Sequence, residues 1–236
     1  MSRYRFAQLL AAILLLMLTA PIVRHFGPEL RSKFAGTVIT VSLTAMFLSA
    51  VFAVSKRRKT TIIALSLAGP ALALHVLWLA SDRLEFEFAG NSLKVLFLGY
   101  VVIVILGHLF TVDRVTFDTI CASLCAYLLI AVLWAVGYSL LYEFIPGSFA
   151  FAHADPNRQG SMHFGGDDAG YAIYYSLVTM TTLGYGDIVP TSPAARMSAA
   201  VQAFVGQLYL AVLVARLVAM HIMHSHADKT GRSDDR

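Results

Sequence analysis

The chain is short of charge. Asp, Glu, Lys and Arg supply 14% of its 236 residues, against about 25% in an ordinary soluble domain, while apolar residues reach 58% and the mean hydropathy is +0.69. That balance excludes a water-soluble enzyme with a polar skin. Cysteine is almost absent. Cys121 and Cys125 lie four apart in one apolar stretch, on one helix face, which excludes a disulfide framework and a four-ligand zinc site. The sequence also lacks an H-E-x-x-H pair, a phosphate-binding glycine loop and a G-x-S-x-G elbow, so neither catalytic residues nor an organic cofactor are expected. The net charge of +4 and pI of about 9.1 do not point to nucleic acid, because the cations flank apolar runs as they do in membrane proteins.

What is present is a series of apolar runs, each near the roughly 20 residues that a helix needs to cross hydrocarbon. Six occur, at 6–23, 34–54, 61–80, 93–111, 119–143 and 194–221. The connector SKRRKT at 55–60 carries four cations in six residues, which puts it in the cytoplasm. Alternation then leaves 24–33, 81–92 and the long 144–168 segment outside and both termini cytoplasmic, in a multi-pass protein of the plasma membrane. Arg24, Arg31 and Lys33 weaken the charge rule at 24–33, whereas Asp82, Glu85 and Glu87 at 81–92 do not. The first run has a second reading as a secretory signal, with Arg3 and Arg5 ahead of apolar residues that end Leu18-Thr19-Ala20; its removal would leave five spans. The expected fold is an all-α membrane protein. Its regions are a four-helix part over 1–115, a second part over 116–224 and a short polar tail over 225–236, expected to be disordered.

Between the fifth and sixth runs, residues 171–193 read YAIYYSLVTMTTLGYGDIVPTSP. The apolar start is helical in character but too short to cross a bilayer, so a re-entrant helix is expected. Two glycines then alternate with bulky residues, and irregular backbone at membrane depth must line a cavity or be enclosed by protein. A dehydrated cation needs oxygen ligands in place of water, and stacked backbone carbonyls provide them without full charges. In an extended chain of one hand, successive carbonyls face opposite ways. Gly184 and Gly186 can adopt positive φ, which turns them to one side. Thr182 adds a hydroxyl at the inner end of the stack, and Leu183 and Tyr185 point away from it. Ser192-Pro193 is a cap and first residue for the last helix.

Residues 179–187, T-x-x-T-x-G-Y-G-D, resemble the selectivity filter of the potassium channel family. The resemblance covers 119 to about 224. It implies that the carbonyls of Thr182, Leu183, Gly184, Tyr185 and Gly186 bind potassium ions, that Asp187 lines an acidic outer mouth with Asp167 and Asp168, and that four identical chains complete the pore. It implies filter support from Tyr174, Tyr175, Thr179 and Thr181, with the tyrosines standing where many members carry a tryptophan pair. Leu183 replaces the valine of the best-known members, and Val178 stands where some place an acid. Gly206 falls at the position of a gating hinge, although a close helix contact explains a glycine there equally well. Gln207 would face the cavity, Ala211, Val214 and Val218 could form an apolar constriction, and Gln202 is expected to bond a neighbouring helix.

The fourth run contains Lys94 and no arginine, which argues against a conventional voltage sensor. His75 and His108 are expected to be satisfied packing groups. His221, His224 and His226 form H-x-x-H-x-H, read as a solvated helix end, and His153 and His163 lie in the outer segment. The reading from sequence is a homotetrameric potassium channel in a lipid bilayer, with the regulatory subunit question left open. A non-conducting accessory subunit and a weakly selective cation channel are the alternatives.

Overall fold

Long apolar stretches without interior glycine clusters fold as helices, because only a helix satisfies its own backbone along its length. The computed structural model describes residues 5–24, 28–55, 58–81, 83–112, 116–152, 162–164 and 169–231. They form α1 (Arg5–Arg24), α2 (Pro28–Val54), α3 (Arg58–Ser81), α4 (Leu84–Thr111), α5 (Phe117–Phe144), β1 (Phe149–Phe151), α6 (Ala169–Met180), β2 (Ile188–Pro190) and α7 (Pro193–Gly231). Five of these helices contain segments long and apolar enough to cross a membrane, and α1 is apolar over the shorter stretch Arg5–Thr19.

The core runs along α1, α2, α4 and α5. Phe6, Leu9, Ile13 and Leu16 of α1 are buried with Phe47 of α2 and Phe97 of α4, and Phe47 and Phe97 meet with ring centroids 4.4 Å apart. The Cys125 thiol donates to the Phe6 carbonyl at 3.2 Å, so both cysteines are free and internal to the bundle. Thr116 caps α5 by accepting from the Thr119 amide at 3.2 Å. Ser192 caps α7 by accepting from the Ala195 amide at 3.2 Å, and Pro193 is the first residue of that helix, as its fixed φ favours.

Three features differ from the expectations. Helix α4 begins at Leu84, so most of the expected 81–92 connector is helical. Glu85 and Glu87 occupy its first turn, where the helix dipole favours carboxylates. Glu87, Asn91 and Lys94 share one face by their spacing and are all buried, whereas Leu84, Phe88 and Leu96 are exposed. This reversed pattern hides the helix from hydropathy. Secondly, the all-α expectation omitted a short sheet: β1 and β2 pair antiparallel, with Ala150 opposite Val189. Thirdly, α7 continues to Gly231, past the expected change to a disordered tail at 225; no proline interrupts the chain after Pro193.

Candidate functional site

Helix α6 is 12 residues long, about 18 Å at 1.5 Å per residue. Its last carbonyls are satisfied by the segment that follows. The Thr182 amide donates to Thr179 O at 3.0 Å, and the amides of Leu183 and Gly184 donate to Val178 O at 2.9 and 3.4 Å. Val178 therefore supplies backbone where some family members use an acidic side chain. The Thr181 hydroxyl donates to Leu177 O at 2.8 Å and the Thr182 hydroxyl to Thr181 O at 2.6 Å.

Beyond that turn the backbone alternates in hand. Thr182, Gly184 and Gly186 have φ of +58°, +58° and +79°, and Leu183 and Tyr185 between them are not positive. Positive φ at the glycines is what their spacing predicts. Thr182 was not anticipated, and a threonine in this region carries a cost on the order of 1 kcal/mol that its surroundings must offset. The whole stretch from Thr181 to Gly186 is exposed in the single chain, with Leu183 at 55% and Tyr185 at 67%.

The segment is tied down at its far end. Asp187 accepts from the Tyr174 hydroxyl at 2.7 Å and from the Ile188 amide at 3.1 Å, and its carbonyl accepts from the Ala152 amide at 2.7 Å. The β1–β2 pair thus joins the end of α5 to the exit of the segment. Tyr175 is buried, edge-on to Tyr138 and Phe149 at centroid distances of 5.0 and 5.3 Å. The two tyrosines therefore divide the work: Tyr174 holds Asp187 by a hydrogen bond, and Tyr175 anchors α6 in the core.

A neutral polar network holds α6 between α5 and α7. The Tyr138 hydroxyl donates to Gln202 Oε1 at 2.6 Å, Gln202 Nε2 donates to the carbonyl and hydroxyl oxygens of Ser176 at 3.0 and 2.6 Å, and the Ser176 hydroxyl donates to Ala131 O at 2.6 Å. Gln202 bonds a neighbouring helix as expected. Its partners were not foreseen, since no local sequence signal marks which of the several hydroxyls in α5 and α6 will face Gln202. Gly206 sits against the end of α6: a Cβ there would overlap the Met180 carbonyl oxygen and lie 2.8 Å from Met180 Cγ. Close approach thus accounts for this glycine. Gln207, Ala211, Val214 and Val218 are exposed on α7.

His75 is buried, with ring nitrogens 3.3 Å from Thr40 Oγ1 and 3.4 Å from Lys94 Nζ, and His108 stacks on Phe6 at 5.6 Å; both fit a packing role. His153, Asp167 and Asp168 lie outside the described residues, as do the side chains of His221, His224 and His226.

Residues 95–222, more than half of the chain, match the ion channel family. The chain belongs to that family. The chain is similar over 71 residues, at 39% identity, to "Two pore potassium channel b" of Oryza sativa subsp. japonica, covering 30% of this chain and 20% of the relative. It is 47% identical over 45 residues to "Two-pore potassium channel 1" of Arabidopsis thaliana, covering 19% and 12%. A longer match of 94 residues at 30% identity is to rice "Two pore potassium channel c", covering 40% and 18%. The matched stretches therefore span a fifth or less of these relatives. No solved structure matches the chain. The relationship to potassium channels indicated by residues 179–187 is shown, and with five membrane-length helices the chain is an integral membrane protein of a channel family and not of an enzyme family.

Proposed function

We propose that four copies of the chain assemble into a potassium-selective channel, with the carbonyls of residues 182–186 as the ion-binding filter. The observation that carries this reading is the alternation of hand at Thr182, Gly184 and Gly186. In an extended chain of one hand, successive carbonyls diverge; inverting every second residue brings them to one side, as a column of oxygen ligands requires. Thr182 accepts an unfavourable φ to start that column. The signature occurs once in these 236 residues, so four copies of them complete a fourfold ring of carbonyls. Exposure of Leu183 and Tyr185 supports the same conclusion, because large side chains beside a filter need a wall that the single chain does not supply.

The C-terminal end of α6 directs its partial negative charge toward the inner side of the filter, favouring cations there, and Asp187 does so at the outer mouth. Gln207 and Val214 would line the cavity and constriction on α7. Counting α1, whose apolar face packs into the core, the subunit has six spans, α6 is re-entrant, and both termini lie on the cytoplasmic side of the plasma membrane. The four N-terminal helices act as a brace and not as a conventional voltage sensor, since the single cation of α4, Lys94, is buried and bonded to Asn91.

The test is the reversal potential of the reconstituted full chain under opposed potassium and sodium gradients. A potassium-selective current is expected, and Gly184→Ala should abolish it because a Cβ disfavours φ +58°. A wild-type current that does not distinguish the two ions, or a selective current unchanged by the substitution, would overturn the assignment.

A further inference from the structure

Outside the filter, one cluster of potential metal ligands stands out among the described residues. Glu87 of α4, Glu143 of α5 and His163 of the 162–164 segment each direct one ligand atom to a common point, all within 4.8 Å of one another. We propose that this cluster is a binding site for a zinc-class divalent ion that ties the N-terminal helices to the outer end of the pore-forming part.

The segment bearing His163 is fixed on both sides. Met162 and Phe164 are buried, and the Met162 carbonyl accepts from the Ser139 hydroxyl. His163 Nδ1 lies 2.9 Å from Glu87 Oε1, and Glu87 is 5% exposed, so one carboxylate and one imidazole already meet in a largely buried place. Glu143 Oε1 accepts from Asn91 Nδ2 at 2.9 Å. Its other oxygen, Oε2, is buried and without a hydrogen-bond partner among the described residues, a state that burial makes costly. Lys94 does not fill that role. Its Nζ donates to Asn91 Oδ1 at 2.9 Å and sits over the Phe164 ring at 5.6 Å.

Two carboxylates and an imidazole thus stand together in a largely buried place, where a carboxylate oxygen without a partner is costly unless a cation meets it. The donor set selects the cation. One imidazole nitrogen and two carboxylates are a three-ligand zinc set with a fourth position for water, whereas calcium takes six to eight oxygens and magnesium an oxygen octahedron. Tetrahedral bonds of about 2.0–2.1 Å put ligands about 3.3 Å apart, so the part-buried His163 and Glu143 side chains would close by no more than about 1.5 Å on Glu87 and on each other, and the 2.9 Å His163–Glu87 pair would open slightly. On binding, His163 would give up its Nδ1–H···Glu87 hydrogen bond and carry the ring proton on Nε2, which frees the Nδ1 lone pair for the ion. An open volume of about 580 Å³ lined by Leu84, Tyr142 and Pro146 together with Glu143 and His163 gives access. Glu143 lies just before β1, which pairs with the strand after Asp187, so the ion would act at the filter's outer end.

The experiment is a titration of the purified full chain in detergent with Co(II) as the visible probe and Zn(II) as competitor, in a His221→Ala, His224→Ala, His226→Ala background that removes the α7 histidines. One Co(II) per chain is expected, with a tetrahedral spectrum that Zn(II) displaces. His163→Ala and Glu143→Gln should each weaken binding at least about tenfold with circular dichroism unchanged, and His163→Cys should restore it through a thiolate ligand. Absence of Co(II) uptake by the folded parent, or affinity indifferent to both substitutions, would overturn the site. Because the readout is binding and not flux, it stands or falls apart from ion conduction.

Discussion

Helices α5 and α7 flank the same segment, and both are long and apolar, yet they live in different surroundings. Of the apolar window of α5, 61% is buried within the single chain, against 11% for α7. α5 meets α1, α4 and α6 and is the centre of one subunit. α7 touches its own chain along one strip, where Gly206 meets Met180, Gln202 meets Ser176 and Tyr138, and the Tyr209 hydroxyl donates to Ser123 O at 2.6 Å. The rest of its apolar surface faces outward. Composition alone therefore does not separate a helix buried within its own chain from one whose apolar surface lies outside it; the placement of its few polar and glycine positions does.

The strip can be attacked where it is tightest. At Gly206 the obstacle to a Cβ is a backbone carbonyl as well as a side chain, so α7 must shift away from α6 to admit it. Gly206→Ala should cost about 1–3 kcal/mol as overpacking does, at the upper end because a carbonyl cannot swing aside. A fall in the unfolding midpoint in detergent, with loss of potassium selectivity, is the expected result. An unchanged midpoint would mean that α7 is as loosely held along this strip as elsewhere, and would restore the hinge reading.

A smaller loss is expected at the polar bridge. Gln202→Leu leaves the Tyr138 hydroxyl buried without its acceptor, at a cost of about 1–3 kcal/mol. Tyr138→Phe removes the other partner, and the double substitution should cost less than the sum of the two, which a double-mutant cycle on unfolding would measure. Strict additivity would show that the two side chains are not coupled, and that α5 and α7 are joined only by apolar contact.

How far the sequence reveals this arrangement depends on what kind of order each part uses. Apolar runs of membrane length expose α2, α3, α5 and the first half of α7, and Ser192-Pro193 marks the start of α7 to the residue, because these signals are local. The positive φ of Gly184 and Gly186 is legible for the same reason: it follows from the spacing of two glycines among bulkier residues. The fourth apolar run stops short of the start of α4 because hydropathy counts Glu85, Glu87 and Asn91 as solvent-seeking and is blind to partners more than fifty residues away, such as His163 for Glu87 and Glu143 for Asn91. The β1–β2 pair joins segments whose only shared signal is being extended. The network of Tyr138, Ser176 and Gln202 is likewise invisible until the helices carrying those residues are brought together.

The outward face of α7 offers the smallest effect on the chain and the plainest one on assembly. Met197, Val201, Phe204, Leu208 and Val212 follow a helical spacing of three and four, and Phe204 is 67% exposed. Phe204→Ser removes no contact that the single chain depends on, so its unfolding free energy should stay within about 0.5 kcal/mol. If that stripe is where copies of the chain meet, the same substitution should break the tetramer, read as a shift from four copies to one by crosslinking or light scattering in detergent. A tetramer that survives would put this stripe against lipid and move the subunit contact to the stripe of Leu210, Val214 and Val218, a third of the way around the helix. The same serine on the buried face of α5, at Leu129, should instead unfold the subunit, since that side chain has no exposed surface and its loss leaves a cavity in the core; the contrast between the two substitutions separates a helix that builds its own chain from one that, in the proposed assembly, joins four.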